Sequence, residues 1–132
     1  MPNLRATRVA LLALLLPPAC TDGDGEAPTV SALTIAPTEI AVGATTTVSG
    51  TFAFADADGD ITNLSVSITP PGGALVPGPV TPVAAAAGVT AGTINWSVVL
   101  APPTTGDYVL TLGVVDEADH PSNTLEGRVT AR

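Results

Sequence analysis

The chain has 132 residues and is acidic, with twelve Asp and Glu against four Arg and no Lys. Its net charge of −8 excludes electrostatic attraction to nucleic acid or to anionic membrane surfaces, and the lack of lysine excludes a Schiff-base or phosphate-binding lysine. A single cysteine excludes an internal disulfide, so the fold must be stabilised by its core.

The N-terminal segment has the pattern of an export signal. Two arginines within the first eight residues precede a run of eight apolar residues, Val9 to Leu16, far shorter than the ~20 that a membrane-spanning helix needs. We predict a signal peptide over residues 1–19, a flexible linker over 20–28 and one folded domain over 29–132. Removal of the signal leaves two Arg against the twelve acids, a net charge of −10.

The only cysteine, Cys20, follows the apolar run after Pro-Pro-Ala. Residues Leu16 to Cys20 resemble the cleavage site of bacterial lipoprotein signals, although Pro17 stands where that family usually has leucine. The resemblance implies that Cys20 is alkylated with diacylglycerol, becomes the new N-terminus and is acylated, which would hold the chain at a membrane. Thr21 after the cysteine resembles the signal for sorting to the outer membrane, which implies an exported protein of the bacterial cell envelope. An ordinary secretory signal with a free thiol is the alternative.

Strand patterns follow the linker. Val, Ile, Leu, Thr and Ala dominate, and β-branched residues favour strands over helices. Six segments alternate between apolar and polar residues, and the apolar phase predicts the buried face of each strand. In chain order, with their apolar positions, they are VSALTIAP (Leu33, Ile35), TTTVSGTFAFA (Val48, Phe52, Phe54), TNLSVSIT (Leu64, Val66, Ile68), TINWSVVL (Ile94, Trp96, Val98, Leu100), DYVLTLGVV (Tyr108, Leu110, Leu112, Val114) and TLEGRVTA (Leu125, Val129).

One further segment, residues 72–88, is rich in proline. Proline lacks the N–H that a strand ladder needs, so the segment is predicted to be an edge strand or a long loop. Its alanines at 84–87 allow one helical turn.

Short strands at roughly 8 to 12 residue spacing predict an immunoglobulin-like β-sandwich of about seven antiparallel strands. Val30 to Ala131 resembles bacterial Ig-like, cadherin-like and polycystic-kidney-disease-type (PKD) domains, most specifically in FAFADADGDI and GDYVLTLGVVDEADHPSN. The resemblance implies that the first stretch is the second strand with its B–C loop, and the second stretch the F strand with its F–G loop. The paired cysteines of antibody domains are absent, and Trp96 lies too late for their third-strand tryptophan. Tyr108 is either a tyrosine corner or an ordinary core residue.

Half of the twelve acids fall in two short segments, which the sandwich prediction places in the B–C and F–G loops at one pole. Carboxylates in flexible loops suit Ca²⁺, so calcium is the one candidate cofactor. The candidate ligands are Asp56, Asp58, Asp60, Asp116 and Asp119. The alternative interpretation is that these aspartates form turns and keep the surface soluble.

Two more specific sites are excluded. D-A-D-G-D resembles the start of an EF-hand loop, but Ile61 and Ser67 occupy the positions that need glycine and glutamate. His120 is the only histidine, and without a second histidine or a nearby cysteine it cannot complete a zinc site, so we interpret it as an exposed loop residue.

Enzymatic function is not indicated. No nucleophile stands in a recognisable pattern with a base, and so small a domain offers little cleft for hydrolysis by paired carboxylates. All four aromatic residues fall in buried strand phases, which leaves no exposed platform for a sugar. We therefore expect a non-enzymatic interaction or structural module, anchored to a membrane by lipid, with a protein or glycan partner and no nucleic acid. A calcium-dependent binding or adhesion domain is the alternative.

Overall fold

The alternating segments form an all-β structure in the computed structural model, which describes residues 25–132. The eight strands are β1 (Thr29–Ser31), β2 (Glu39–Ile40), β3 (Thr46–Ala55), β4 (Ile61–Thr69), β5 (Val76–Pro82), β6 (Ala91–Leu100), β7 (Gly106–Asp116) and β8 (Leu125–Ala131). A 3₁₀ turn spans Ala84–Ala86, where the sequence allows one helical turn. No helix within the described residues is long and apolar enough to cross a membrane. The predicted signal peptide and Cys20 lie outside the described residues.

The strands form two sheets that face each other. One has the order β1-β3-β6 and the other β2-β8-β7-β4-β5. In immunoglobulin notation these sheets are A-B-E and A′-G-F-C-C′, so the B–C loop joins β3 to β4 and the F–G loop joins β7 to β8. Strands β2 and β8 pair in parallel, whereas the other named pairs are antiparallel. The predicted all-β sandwich of about seven antiparallel strands is confirmed, with eight strands observed and one short parallel pair.

The core lies between the sheets and consists of the predicted apolar phases. Along β6 every second residue from Ile94 to Leu100 is buried, and the residues between them are exposed. Along β7 the same alternation buries Tyr108, Leu110, Leu112 and Val114. Because residues two apart on a strand share a face, this period places each apolar set against the opposite sheet.

The chain crosses from one sheet to the other between β1 and β2. Thr29–Ser31 pairs with β3, and after a break at Ala32, where φ is 55°, Thr34 and Ala36 bond β3 again. The predicted strand over VSALTIAP is therefore interrupted and not continuous. Leu33 and Ile35 are half-buried and pack against the core from this crossing segment. After Pro37 the chain leaves β3, and β2 pairs with β8 of the other sheet.

Two strand glycines make room for this crossing. A Cβ at Gly50 of β3 would overlap the carbonyl of Thr34, and a Cβ at Gly127 of β8 would press on Ile35 and Leu33. Both glycines stand in the inward phase of their strands, where an apolar side chain would otherwise be expected. Their missing side chains allow the backbone or side chains of residues 33–35 to approach closely.

Tyr108 forms a tyrosine corner. Its hydroxyl donates to the carbonyl oxygen of Thr104 at 3.0 Å and lies 3.2 Å from the Thr104 hydroxyl. The partner precedes the tyrosine by four residues, in the loop that joins β6 to β7, which is the arrangement found at the E–F corner of immunoglobulin-like domains. This hydrogen bond satisfies a buried hydroxyl and fixes the pole opposite the B–C loop.

Candidate functional site

The B–C and F–G loops meet at one end of the sandwich, as the sequence predicts. The backbone N–H of Glu117 in the F–G loop donates to the carbonyl oxygen of Asp60 in the B–C loop at 3.0 Å. We call residues 56–60 together with residues 116–120 the acidic pole. Six carboxylates are thereby gathered at this pole, although they differ in burial and in hydrogen bonding.

Asp56 organises the B–C loop. It ends the β3 side of the loop and is 2% exposed. Its Oδ2 accepts from the backbone N–H of Asp60 at 2.9 Å, and its Oδ1 accepts a longer bond of 3.4 Å from the N–H of Asp58. Gly59, with φ of 64°, supplies the left-handed residue that this turn needs. The side chain therefore acts as a turn former, in line with the structural interpretation of the sequence.

Asp116 does the same for the F–G loop. It is 1% exposed, and its Oδ1 accepts from the backbone N–H groups of Ala118 at 2.9 Å and His120 at 2.8 Å. Its Oδ2 lies 3.1 Å from Nδ1 of His120, which is an ion pair when the imidazole is protonated. The His120 side chain is 34% exposed, so it is a half-buried partner of Asp116 and the prediction of a freely exposed histidine is corrected.

Three of the five candidate ligands form a cluster. Asp56, Asp58 and Asp60 can each direct one carboxylate oxygen so that the three oxygens lie within 4.8 Å of one another. We call these residues the three-aspartate cluster. Two oxygens on opposite sides of a Ca²⁺ ion are about 4.6 to 5.2 Å apart, so this spacing is compatible with a shared ion. Asp116 and Asp119 stand outside the cluster.

Asp60 is the most perturbed member of the cluster. Its Oδ1 is buried and has no hydrogen-bond donor among the described residues. Burial, followed by a hydrogen bond to Asp56 and by the negative charges of Asp56, Asp116 and Asp58, raises the pKa of Asp60 above its ordinary value. A buried carboxylate oxygen among like charges is stabilised either by a proton or by a cation.

Two contacts at this pole have no counterpart in the sequence analysis. The backbone N–H of Glu26 donates to Oδ2 of Asp58 at 2.8 Å, which places the predicted linker against the cluster. The side-chain amide of Asn123 accepts from the Val30 N–H at 2.8 Å and donates to the Val30 carbonyl at 2.9 Å. Asn123 thus bonds β1 as a neighbouring strand would and ties the F–G loop to the other sheet. An asparagine after Pro-Ser indicates only a turn, so no local signal predicts this long-range pair.

No protein-family model matches the chain. No curated protein matches it either. Among solved structures, the PKD domain of an M14-like peptidase from a Thermoplasmatales archaeon is similar over 81% of this chain and 97% of that chain, with 22% identity and a TM-score of 0.50. A Niemann-Pick type C2 protein from the Japanese carpenter ant is similar over 82% of this chain and 95% of that chain, with 12% identity and a TM-score of 0.50. At these identities the likeness shows the fold, and it agrees with the PKD-type resemblance of the sequence.

Proposed function

We propose that this chain is an exported, lipid-anchored module of the bacterial cell envelope that acts by interaction and not by catalysis. The proposal that the module does not act by catalysis is supported by the residues that line its grooves. The two grooves along β5 and β6, of about 260 and 370 Å³, are lined by no Asp, Glu, His or Cys. The buried acids Asp56 and Asp116 are occupied in holding turns. Acids do line grooves at the acidic pole and beside β8, but Asp56 is committed to the B–C turn and Glu126 lies beside Arg128, so catalysis by a free acid and base in a cleft is not favoured.

The position of the linker supports one orientation of such a module on a membrane. Glu26 lies against Asp58, so the chain enters the sandwich at the acidic pole. Cys20 precedes Glu26 by six residues, and six extended residues reach about 20 Å. With Cys20 in the bilayer, the acidic pole faces the membrane, and the flanks and the E–F corner face outward for a partner.

The anchor is tested by Cys20→Ser. Because the thioether forms on the Cys20 sulfur, we expect the variant to leave the membrane fraction, whereas wild type stays in it and carries the mass of the lipid. Fractionation of cells followed by mass spectrometry of the N-terminal peptide measures both. Thr21→Ser is the matched control and should remain in the membrane fraction. A soluble wild-type protein with an unmodified cysteine would contradict the anchor and leave a secreted module.

A second candidate function, calcium-dependent binding, is favoured by the buried and unpaired Oδ1 of Asp60. In this function the three-aspartate cluster holds Ca²⁺ with the remaining ligands supplied by water. The ion would neutralise charge at the pole that faces the membrane, where repulsion from anionic lipid is otherwise strongest.

Calcium binding predicts a stability change that Asp60 controls. If the folded protein alone binds the ion, Ca²⁺ at a hundredfold excess over Kd should stabilise wild type by about 2.7 kcal/mol. Asp60→Asn should abolish this response, because it removes a charged ligand from the cluster. Asp119→Asn, which changes an acid of the same pole outside the cluster, should keep it. Thermal melting with calcium or chelator measures the effect. A wild-type melting temperature that is indifferent to millimolar calcium would reject this function.

The same variant gives a pH prediction in chelator. Since the pKa of Asp60 is raised in the folded state, wild type loses stability as the pH rises from about 4, the ordinary value, through the raised pKa. Asp60→Asn cannot ionise, so we expect it to melt above wild type at pH 7 and to lose this advantage below pH ~4. Asp119→Asn, measured in parallel, is the control for removing one negative charge from the same pole. An equal difference between Asp60→Asn and wild type at all pH values would show that ionisation is not its cause.

A further inference from the structure

One flank of the sandwich carries no charge. Between Asp60 and Asp107 the sequence contains no Asp, Glu, Lys, Arg or His, although the chain as a whole has a net charge of −8. This stretch builds β4, β5 and β6. Strand β5 is the edge of one sheet and β6 the edge of the other, so the uncharged stretch includes two sheet edges. We call the surface of β5 and β6 the uncharged flank.

The exposed apolar residues concentrate on the same flank. Every large apolar residue that is exposed in the described part of the chain falls within residues 75–99, and the set is Leu75, Val76, Val80, Val89 and Val99. Val76 of β5 and Val99 of β6 line one groove, and a second groove runs from Pro79 of β5 to Ser97 of β6. An uncharged apolar surface on an otherwise acidic domain indicates an interaction site.

The two edges differ in how they are protected. Strand β5 contains Pro77, Pro79 and Pro82, and its pairing with β4 is interrupted by a register shift between Ser65 and Ser67. Prolines and irregularities prevent further strands from adding to an edge. Strand β6 has ten residues with no proline and no charge, and its pairing with β3 runs without a register shift. The free edge of β6 therefore has none of the usual protection against pairing.

The hydrogen bonds of β3 reveal which groups on β6 are free. Ser49 exchanges backbone bonds with Ala36, at 2.8 and 2.9 Å, on the side away from β6. Opposite residues in an antiparallel ladder exchange either both bonds or none, so Ser97, which pairs with Ser49, directs its N–H and C=O toward the free edge. Thr51 likewise bonds away from β6, and its partner is Asn95.

The direction of the backbone N–H and C=O groups alternates along a strand, so the outward direction at Asn95 and Ser97 recurs at every second residue of β6. Thr93 and Val99 have the same phase as Asn95 and Ser97, so all four point their backbone groups outward. On this outer side of β6, no strand within residues 25–132 bonds to these backbone groups.

We infer that this edge binds a second copy of the chain through antiparallel pairing of β6 with β6 about a two-fold axis. The pairing joins the two three-stranded sheets into one sheet of six strands, β1-β3-β6-β6-β3-β1. The inference names the partner of the interaction module proposed above, but it depends only on the edge and not on the lipid anchor.

Charge distribution selects a second copy as the occupant. Two chains of the same strong negative charge repel each other at the acidic pole and along β7 and β8, where Asp107 and Glu126 lie. They approach with the least repulsion through surfaces without charge, and among these the uncharged flank carries the long unpaired edge of β6. An antiparallel two-fold contact presents each β6 edge to an identical one, so every free N–H meets a free C=O. Val76 and Val80 of each copy then flank the joint and are removed from water.

Thiol cross-linking of the full chain tests this contact. Asn95→Cys and Ser97→Cys lie near the middle of β6 on the exposed face, and a short bismaleimide bridges cross-strand diagonal separations of about 7 to 8 Å. We expect both variants to yield at least tenfold more covalent dimer than Ser31→Cys, which places the same thiol on β1 at the other edge of the same sheet. Wild type, with Cys20 alone, reports the background. The protein is solubilised from whole cells before the reagent is added, so the result does not depend on export or on the anchor.

A charge placed at the edge should remove the dimer. Ser97→Lys in the Asn95→Cys chain brings two ammonium groups together at the joint, and we expect the cross-linked product to fall to background. Ser31→Lys in the same chain should leave it unchanged. Thermal melting of each variant verifies that it is folded. Equal cross-linking at residues 31, 95 and 97, or equal sensitivity to lysine at the two edges, would overturn the inference.

Discussion

Trp96→Ala is expected to lower the free energy of unfolding by about 3 kcal/mol. The indole is 4% exposed, on the inner face of β6 beside Leu64 and Val66 of the opposite sheet. Truncation of a buried tryptophan costs about 3 to 5 kcal/mol. Its Nε1 is buried and has no acceptor among the described residues, and removing that unpaired donor offsets part of this cost. We therefore expect a loss near the lower end of this range. It is still a large share of the free energy of unfolding of a small domain, which is about 5 to 15 kcal/mol.

Denaturant unfolding measures this change, and two variants resolve its parts. Trp96→Phe keeps an aromatic ring and removes the unpaired N–H, so it should stay within about 1 kcal/mol of wild type. Thr47→Ala, at an exposed position of β3, should change stability by less than about 0.5 kcal/mol. Because the chain has one tryptophan, its emission reports this site alone and should be blue-shifted. Emission at the wavelength of free indole would place Trp96 on the surface and restore the sugar-binding alternative.

Gly50→Ala should destabilise the domain by about 3 kcal/mol, although alanine is ordinarily better than glycine in a strand. The added Cβ overlaps the Thr34 carbonyl and reaches 3.1 Å from Nε1 of Trp96. Thr34 cannot withdraw easily, because its N–H donates to the Thr51 carbonyl at 2.8 Å and its hydroxyl accepts from the Thr51 N–H at 2.8 Å. Overpacking of this kind costs about 1 to 3 kcal/mol, and contact with a fixed backbone atom places it at the upper end.

Gly113→Ala is the matched control on β7. A Cβ there meets Ser122 Oγ at 3.4 Å and nothing closer, which is an ordinary contact. We expect its effect to be less than a third of that of Gly50→Ala when both are measured by denaturant unfolding. Equal effects would mean that strand flexibility, and not the crossing segment, determines the cost at Gly50.

Strand faces were predictable from the sequence because the information for them is local. The alternation in TINWSVVL and DYVLTLGVV needs only the period of a strand, and the structure confirms each apolar position as buried. The alternation in VSALTIAP did not show the break at Ala32, which separates the pairing of Thr29–Ser31 with β3 from the later bonds of Thr34 and Ala36 to the same strand. The crossing is decided by Gly50 and Gly127, which lie far along the chain from residues 33–35, and no local pattern contains that relation.

The candidate site likewise has features that the local sequence predicts and features that depend on contacts between distant residues. The D-A-D-G-D segment by itself indicates both a turn and a cation site, and these interpretations differ only in what surrounds each carboxylate. In the structure, Asp56 and Asp116 accept hydrogen bonds from backbone N–H groups of their own loops. The buried Oδ1 of Asp60 has no donor among residues 25–132. The five candidate ligands are thereby separated into a cluster of three and two residues outside it.

Composition and periodicity by themselves determined that this chain is an acidic all-β domain, because net charge is a sum over residues and strand burial repeats every two residues. The meeting of the two acidic loops, the isolation of Asp60, the tyrosine corner and the open edge of β6 were decided only by the tertiary structure. Each depends on residues distant in sequence, as in the bond between Glu117 and Asp60 or the amide of Asn123 on Val30. Desolvation and hydrogen bonding depend on which atoms are neighbours in space, and strand order with sheet packing, not the local pattern, sets those neighbours.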